Sequence, residues 1–364
     1  MAVQTHFDNF DKKLYITTLS DEYKDAKNKD DSILNDIKAK FKEQGYTITE
    51  SFLQGSFSVL TAIKNKDKDY DIDRSVVISS EDAPDDPVAP KKEVLAVLEN
   101  RNFQNAKIKL PCVTADYKSK KLHIDYTVYT KDGSGNYKLA VGKIGSNDNI
   151  KEWAPSDPIG LRDWILSSEG YGESPASKRK QYKRLVRFMK RWRDEKFSDE
   201  VRKKIFSIGL TVMIKNEYKP DSEAIEIEDD LNALKKVVDN ILSGSYFSLV
   251  SSNPDQYQVS VMLPQSPFKN IFQHKNSSGI TMDGSDKNIG TQLKNQLETL
   301  KAKLKDALDE KDEIKQCEIL NKVFGNDFEI PEKKSDTNSG STGRGAAAIS
   351  VFPAKGATGT SQGA

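Results

Sequence analysis

The sequence predicts an α+β protein in which a mixed sheet occupies the N-terminal part and helices occupy the C-terminal part. Between residues 45 and 145, β-branched and aromatic residues stand in short runs bounded by polar turns, which is typical of strands. From residue 157 to 334, apolar residues recur with the helical period instead. A length of 364 residues, of which 36% are hydrophobic and 30% charged, suits a folded protein of two such parts.

Local patterns predict the individual elements. Leu34, Ile37 and Phe41 have helical spacing among many charges, so residues 7–44 are predicted to form an exposed amphipathic helix. Another helix is predicted at 92–100, after the proline-rich loop EDAPDDPVAP. The predicted strands are DYDIDRSVVI, KIKLPCVTADY and KLHIDYTVYT, and a turn at Asp132-Gly133 predicts a hairpin into NYKLAVG. The change of period places a domain junction near residues 153–158.

The chain ends in a segment of unusual composition. Of residues 335–364, 21 are Gly, Ala, Ser or Thr, and only Ile349, Val351 and Phe352 are sizeable apolar side chains. Such a segment buries too little apolar surface to offset the entropy of ordering it. We therefore predict a flexible tail.

Several classes of protein are excluded by what the sequence lacks. No apolar stretch approaches the roughly 20 residues of a membrane helix, and the N-terminal segment MAVQTHFDNFDKKLY has no apolar core of a signal peptide. Cys112 and Cys317 are too few for a disulfide framework, and the three histidines show no zinc-site spacing. We expect a cytoplasmic protein with no membrane partner.

The net charge of +1 conceals a concentration of cations. Residues 178–196 contain ten basic and two acidic residues, a local charge of +8, so the rest of the chain carries −7. In the same segment Tyr182, Leu185 and Trp192 lie on one helical face, which predicts a helix with an apolar seam and basic flanks. Positive charge of this density beside a cleft attracts phosphates.

Three acids carry the chemical signal. Asp71 and Asp73 stand two apart on a predicted strand, so both carboxylates project from one face and repel each other unless a cation lies between them. Asp125, in the strand KLHIDYTVY, can supply a third carboxylate from a neighbouring strand. Three converging acids can hold two hard cations through oxygen ligands. Asp69-Tyr70-Asp71 has the same Asp-x-Asp form, but Asp71 and Asp73 stand immediately before the strand residues SVVI and are preferred.

A Gly-Ser pair precedes the acids. Gly55-Ser56 lies between a short apolar segment and a predicted helix start in FLQGSFSVL. Glycine permits close backbone approach, and the amides of a helix start together with the Ser56 hydroxyl can hold phosphate. Taken singly, a Gly-Ser pair is typical of a turn and an acidic pair of an exposed strand face, so the order and spacing of the set carry the inference.

This ordered set resembles the motif of the DNA polymerase β-like nucleotidyltransferases. Within that superfamily the sequence is similar to the cGAS/DncV-like enzymes, the bacterial anti-phage CD-NTases. The resemblance covers about residues 50–331 and rests on FLQGSFSVLTAI, DYDIDRSVVI, LHIDYTVY, WAPSDPIGLRDWI, RLVRFMKRWRD and FGNDFEIP. One departure is Arg74, where other members often carry an apolar or acidic residue.

The resemblance implies a bilobal enzyme with a central cleft. Residues 1–155 would form the nucleotidyltransferase domain with an N-terminal helix, and residues 156–334 a helical domain that completes the nucleotide pocket. Asp71, Asp73 and Asp125 would hold two Mg²⁺ or Mn²⁺ ions, and Gln54, Gly55 and Ser56 would contact the donor triphosphate. Lys190 in FMKRW and Ser207 in FSIGL match the family's triphosphate-contacting lysine and serine.

The implied function is synthesis of a cyclic di- or trinucleotide from ribonucleoside triphosphates, with a downstream effector that responds to the product. Two alternatives stay open: a templateless nucleotidyltransferase acting on RNA or on a protein, and a non-catalytic nucleotide- or nucleic-acid-binding module that uses residues 178–196. The tail ending in Ala364 would also suit a ubiquitin-ligation-like partner that conjugates the C-terminus, as in some relatives.

Overall fold

A seven-stranded mixed sheet forms the centre of the N-terminal part. The computed structural model describes residues 2–64, 70–101, 103–117, 122–147, 150–275, 281–282 and 288–332. The strands of this sheet are β1 Ile48–Leu53, β2 Tyr70–Ser79, β3 Gln104–Ile108, β4 Val113–Tyr117, β5 Leu122–Lys131, β6 Tyr137–Val141 and β7 Glu152–Ser156. Their order is β1-β2-β5-β4-β3, and β6 pairs with both β5 and β7.

The central pair of strands is parallel and the other pairs are antiparallel. In the β2–β5 pair, Asp73 lies opposite Asp125 and Arg74 lies opposite Tyr126. Side chains alternate between the two faces of a strand, so the acids share one face and the residues that follow them share the other. The latter face carries buried apolar residues, namely Ile72, Val76, Ile78, Ile124 and Val128.

Two helices cover this apolar face. They are α2 Asp21–Glu43 and α4 Val88–Asn100. Helix α2 contributes Ile33, Ile37 and Phe41 to the same hydrophobic cluster as the strands. A short helix, α3 Gly55–Ser58, follows β1 on the way to β2.

A second hydrophobic cluster is built from helices. Its helices are α1 Ala2–Leu14, α5 Pro158–Leu166, α6 Pro175–Lys196, α7 Asp199–Arg202, α8 Ser207–Glu217, α9 Asp230–Ser243, α10 Ile289–Asp309 and α11 Glu313–Phe324. The seam predicted for α6 is buried here: Tyr182, Leu185 and Trp192 are at most 1% exposed. Two short strand pairs accompany these helices, β8 Phe247–Ser251 with β9 Gln256–Val259, and β10 His274–Lys275 with β11 Thr281–Met282.

The N-terminal region differs from its prediction. Instead of one exposed helix over residues 7–44 there are two, because Ser20 caps the N-terminus of α2 by accepting a hydrogen bond from Tyr23 N–H. Helix α1 packs into the helical cluster through Phe7, Phe10 and Leu14. The exposure predicted for this region is therefore wrong along one face of each helix.

One further prediction needed correction. The segment KIKLPCVTADY is a hairpin of β3 and β4, because Pro111 cannot continue a ladder of hydrogen bonds. The junction predicted near residues 153–158 contains β7, which extends the sheet before the first helix of the C-terminal part. The division between residues 155 and 156 stays a prediction, and residues 335–364 of the predicted tail lie outside the described residues.

The two cysteines are part of the packed interior. Cys112 and Cys317 are buried and unpaired. No helix within the described ranges is long and apolar enough to cross a membrane.

Candidate active site

The three acids predicted from the sequence lie on one face of β2 and β5. Asp73 and Asp125 are direct partners in the parallel register, and Asp71 lies opposite His123. Burial, and then the neighbouring carboxylates of Asp125 and Asp71, raise the pKa of Asp73 to about 7. Carboxylates that disfavour each other's ionisation in this way form a site that a cation would stabilise.

The negative charge of Asp125 is partly compensated by neighbouring side chains. His123 Nε2 lies 2.8 Å from Thr114 Oγ1 and 3.1 Å from Asp125 Oδ1. Burial acts to raise the pKa of Asp125, but the contacts with His123 and Thr114 outweigh it and the pKa is lowered. Lys109 Nζ lies 3.9 Å from the same Asp125 Oδ1, so two cationic side chains face this carboxylate.

His123 was not predicted as part of the site. Its Nδ1 lies 2.6 Å from Asp116 Oδ1, so each ring nitrogen faces an acceptor. Hydrogen bonding to Asp125, opposed by burial and supported by Asp116, raises the pKa of His123 to about 9. Its position two residues before Asp125 on one strand was the available signal, because that spacing puts both side chains on the same face.

Gly55 brings the chain against the acids. Its φ is +60°, and a Cβ built there would lie 1.9 Å from Asp73 Oδ2, so only glycine fits. Ser56 follows in α3, and both residues line the same cavity as Asp73. The backbone approach that the Gly-Ser pair predicted is therefore present.

Gln54 lies at the same cavity, but its donors are engaged within the protein. Its Nε2 donates to Ser75 Oγ and, at 2.7 Å, to Thr127 Oγ1, while its backbone N–H donates to Asp73 O at 2.8 Å. Tyr129 donates to its Oε1 at 3.2 Å. Gln54 thus holds β2 and β5 together beside the acids.

Lys190 approaches the cavity from α6. It is 5% exposed and its Nζ donates to Thr61 O at 2.9 Å and to Thr61 Oγ1 at 3.3 Å. The Thr61 N–H in turn donates to Ser56 O at 2.9 Å, so Thr61 connects the lysine to the Gly-Ser segment. Burial, and then the charges of Arg193 and Arg187, lower the pKa of Lys190 to about 7.

Ser207 is the first residue of α8 and is oriented by an arginine. Arg193 Nη1 donates to Ser207 Oγ at 2.6 Å and to Ile205 O at 3.1 Å. Since the serine oxygen accepts this bond, its own hydrogen is left to donate to another group. Arg193 was not singled out in the sequence, although it lies one helical turn beyond Lys190 on α6.

One cavity of about 1040 Å³ joins these residues. All eight residues predicted for the site line it: Asp71, Asp73, Asp125, Gln54, Gly55, Ser56, Lys190 and Ser207. Acids from the sheet lie on one side, and Lys190, Arg193 and Lys203 come from the helical part. The cavity therefore combines carboxylates from the sheet with cations from the helical part.

The donor set fits a hard cation, although the side chains are not yet in a binding arrangement. Among the described residues no three His, Cys, Asp or Glu side chains form a group that could hold a metal ion as it stands. The raised pKa of Asp73, a buried carboxyl beside Asp125 and Asp71, is the feature that a bound cation would relieve. Asp71 is exposed and lines the same cavity.

The basic segment 178–196 has a different role from the one its charge suggested. Of its ten basic residues only Lys180 is exposed. Arg187 pairs with both carboxylate oxygens of Asp11, at 2.6 and 2.7 Å, and donates to Leu60 O at 2.9 Å. Arg191 donates to Lys64 O at 2.5 Å. Helix α6 thus uses most of its cations to hold neighbouring segments, which weakens the hypothesis of a basic nucleic-acid-binding face.

Arg74, the departure from the family pattern, points away from the cavity. It lies on the opposite face of β2 and pairs with Asp30 of α2. A cation next to the acids in sequence is therefore on the far side of the sheet from them, because successive side chains of a strand alternate.

Comparison with known proteins agrees with this geometry. Residues 49–129 match the family described as "Cyclic GMP-AMP synthase DncV-like, nucleotidyltransferase domain". A cyclic GMP-AMP synthase of Escherichia albertii is 32% identical over 201 residues, which are 52% of this chain and 42% of that protein. The match thus spans less than half the length of the curated relative.

Solved structures extend the likeness to most of the chain. The Vibrio cholerae cyclic AMP-GMP synthase DncV has a TM-score of 0.65 at 19% identity, over 91% of this chain and 97% of that chain. The Bradyrhizobium diazoefficiens CD-NTase CdnG, in complex with GTP, has a TM-score of 0.63 at 14% identity, over 89% and 95%. The predicted α+β fold with a mixed sheet and a helical C-terminal region is confirmed.

Sheet, cavity and acids together define a nucleotidyltransferase fold. Residues 49–129 match the DncV-like nucleotidyltransferase domain, the sequence is similar to a cyclic GMP-AMP synthase, and the chain has the fold of the CD-NTase structures. The family resemblance inferred from the sequence is confirmed.

Proposed function

We propose that this protein joins ribonucleoside triphosphates into a cyclic di- or trinucleotide second messenger in anti-phage defence. The observation that carries the proposal is the direct pairing of Asp73 with Asp125 in a cavity whose other wall presents Lys190 and Ser207. The matched relatives are named as synthases of cyclic nucleotides containing adenine and guanine, which makes ATP and GTP the expected substrates.

Asp71, Asp73 and Asp125 would hold two Mg²⁺ or Mn²⁺ ions, which when bound stabilise charge on the attacking and leaving oxygens of an in-line displacement at the α-phosphate. Lys190 and Ser207 would hold the triphosphate, whose β- and γ-phosphates are released together as pyrophosphate. Ser56 would contact the same triphosphate, and Gly55 would let the chain approach it. Gln54 is better suited to position β2 and β5 than to donate to phosphate, because its amide already serves three partners.

The same acids would serve an RNA or protein acceptor, so the test must separate acceptors. The purified protein is incubated with the four ribonucleoside triphosphates and Mg²⁺ or Mn²⁺, and products that resist phosphatase are identified by mass spectrometry. We expect a small cyclic product. The variant Asp71→Asn/Asp73→Asn should lose at least about 100-fold in rate, because bound metal supplies several kcal/mol of transition-state stabilisation.

Asp199→Asn is the matched control, since its side chain is 79% exposed and lies outside the cavity. It should leave the rate unchanged. A product that forms only after RNA or a protein is added would favour the alternative transferase. Absence of product with every acceptor and metal, together with absence of nucleotide binding, would refute the proposal.

Two partners are also proposed from the family rather than from the cavity. One is an effector that responds to the cyclic product. The other is a ubiquitin-ligation-like enzyme acting at Ala364, a residue outside the described part of the chain. Mass spectrometry of the protein from cells that contain its genomic neighbours would show whether the Ala364 carboxylate stays free.

A further inference from the structure

Three side chains meet behind the sheet, on the face opposite the cavity. Arg74 donates through Nε to Asp30 Oδ2 at 2.8 Å and through Nη2 to the same oxygen. The Tyr126 hydroxyl donates to Asp30 Oδ1 at 2.9 Å. Asp30 and Tyr126 are fully buried and Arg74 is 7% exposed. Both oxygens of one buried carboxylate are therefore engaged, each by a different strand.

The two strands are those that carry the acids. Arg74 follows Asp73 directly on β2, Tyr126 follows Asp125 directly on β5, and Arg74 and Tyr126 are register partners. A one-residue slip between these strands would turn one acid away from the cavity. Asp30 thus contacts both strands at the single rung next to the Asp73–Asp125 pair.

Asp30 stands in a position where an apolar residue would otherwise be expected. In α2 it lies on the same stripe as Ala26, Ile33, Ile37 and Phe41, all of which are buried. A buried carboxylate is costly unless it is paired and hydrogen-bonded, and packing alone would be served as well by an apolar side chain. Arg74 and Tyr126 meet that requirement, so the network specifies an arrangement of the strands and not only their burial.

We propose that Asp30 is a positioning residue that fixes Asp73 and Asp125 at the separation which the metal ions require. The proposal rests on the proposed function, because it assigns these two acids to metal. Arg74 and Tyr126 transmit the constraint, since each is joined to an acid by one peptide bond. Helix α2 is in this way part of the metal site without touching it.

The test measures Mn²⁺ binding by the full-length protein directly, by the loss of the free Mn²⁺ electron paramagnetic resonance signal, with and without a non-hydrolysable ATP analogue. The variants are Asp30→Asn and the milder Tyr126→Phe. Partners hydrogen-bonded directly to metal ligands typically contribute 10- to 100-fold to affinity. Asp30 acts one step further out, through the backbone, so we expect each variant to bind Mn²⁺ about three- to tenfold more weakly.

Two matched controls separate positioning from stability. Asp230 is likewise fully buried and accepts two bonds from Arg184, at 2.6 and 2.7 Å, but lies in the helical cluster. Tyr218 is 2% exposed and donates to Gln181 Oε1 at 2.7 Å. Asp230→Asn and Tyr218→Phe should lower the melting temperature as much as their counterparts and leave Mn²⁺ affinity within about twofold of the parent protein.

The outcomes are distinct. Equal melting losses with an unchanged Mn²⁺ affinity in Asp30→Asn and Tyr126→Phe would overturn the proposal, and so would equal loss of affinity in all four variants. If Asp30→Asn does not fold, Tyr126→Phe against Tyr218→Phe decides the result. If the parent protein itself binds no more Mn²⁺ than Asp71→Asn/Asp73→Asn, the proposed function fails, and the positioning role fails with it.

Discussion

Lys190 is the residue whose ionisation gives the sharpest test of nucleotide binding. Its pKa is lowered to about 7 by burial and by Arg193 and Arg187, against the opposing charges of Asp194 and Asp73. A triphosphate beside its Nζ would favour the charged form and raise this pKa. Above pH 7, binding must then take up a proton, so nucleotide affinity should fall as pH rises. Below pH 7 the lysine is already charged and this contribution is constant.

The prediction is that affinity for a non-hydrolysable nucleotide decreases between about pH 7.5 and about pH 9, by at most about tenfold per unit. Calorimetry in two buffers of different ionisation enthalpy should also show proton uptake. Lys190→Arg is the matched control, because an arginine stays charged throughout. Asp73 titrates in both proteins, so the difference between them isolates the lysine. Identical pH profiles would show that Lys190 does not contact the triphosphate.

Ser207 and Gln54 illustrate how hydrogen-bond partners decide a residue's role. Ser207 accepts from Arg193 and keeps a hydrogen to donate, which suits contact with phosphate. Gln54 lines the same cavity but donates to Ser75 and Thr127. Both are polar residues that were predicted to contact the triphosphate. Only their hydrogen-bond partners distinguish a residue that can bind phosphate from one that positions strands.

At the scale of elements, α1 is a structural part of the helical cluster. Phe10 is 1% exposed and its ring lies 5.2 Å from that of Phe188, 5.1 Å from Phe324 and 5.3 Å from Phe328. The first helix of the chain is thereby packed against α6 and α11, far along the sequence. Such packing makes α1 part of the core of the helical region.

We expect Phe10→Ala to lower the free energy of unfolding by about 3–5 kcal/mol, because it removes a buried aromatic ring and leaves a cavity. Urea unfolding followed by circular dichroism measures this change. Phe268→Ala is the control, since that ring is 62% exposed and should contribute within about 0.5 kcal/mol. A similar small effect of both variants would mean that α1 is not held in the cluster in solution.

At the scale of the whole molecule, cations of α6 form ion pairs within the protein. The local charge of +8 over residues 178–196 suggested a phosphate-binding face, yet only Lys180 is exposed there. Arg184 and Arg187 are paired with the carboxylates of Asp230 and Asp11. Cations that already have partners cannot release counterions from a nucleic acid.

We therefore predict that α6 contributes almost nothing to nucleic-acid binding. Fluorescence anisotropy with an RNA or DNA duplex at several salt concentrations gives the slope of log affinity against log salt concentration, which reports the number of phosphate contacts. Lys180→Ala should change this number by at most about one. The same variant should leave synthesis of the small product unchanged. A steep salt dependence, reduced by several phosphate contacts in the double variant Lys180→Ala/Lys183→Ala, would restore the hypothesis of a basic binding face.

Much of the fold and the site followed from local sequence. The alternation around Asp71, Asp73 and Asp125 predicted strands with all three acids on one face, because side chains of a strand alternate regardless of context. The Gly55-Ser56 pair predicted close backbone approach, since a Cβ at Gly55 would collide with Asp73 and glycine also favours the positive φ found there. These signals depend on two to five neighbouring residues and so survive without tertiary information.

Only the tertiary structure decided which partners distant residues have. It turned one predicted helix at 7–44 into two, engaged most of the cations of α6 within the protein, and placed Arg74 against Asp30 behind the sheet. Contacts between residues far apart in sequence depend on how elements pack, and packing leaves no fixed spacing in the chain. The residues that meet in the cavity were therefore predictable from the sequence, whereas the network that holds them in place was not.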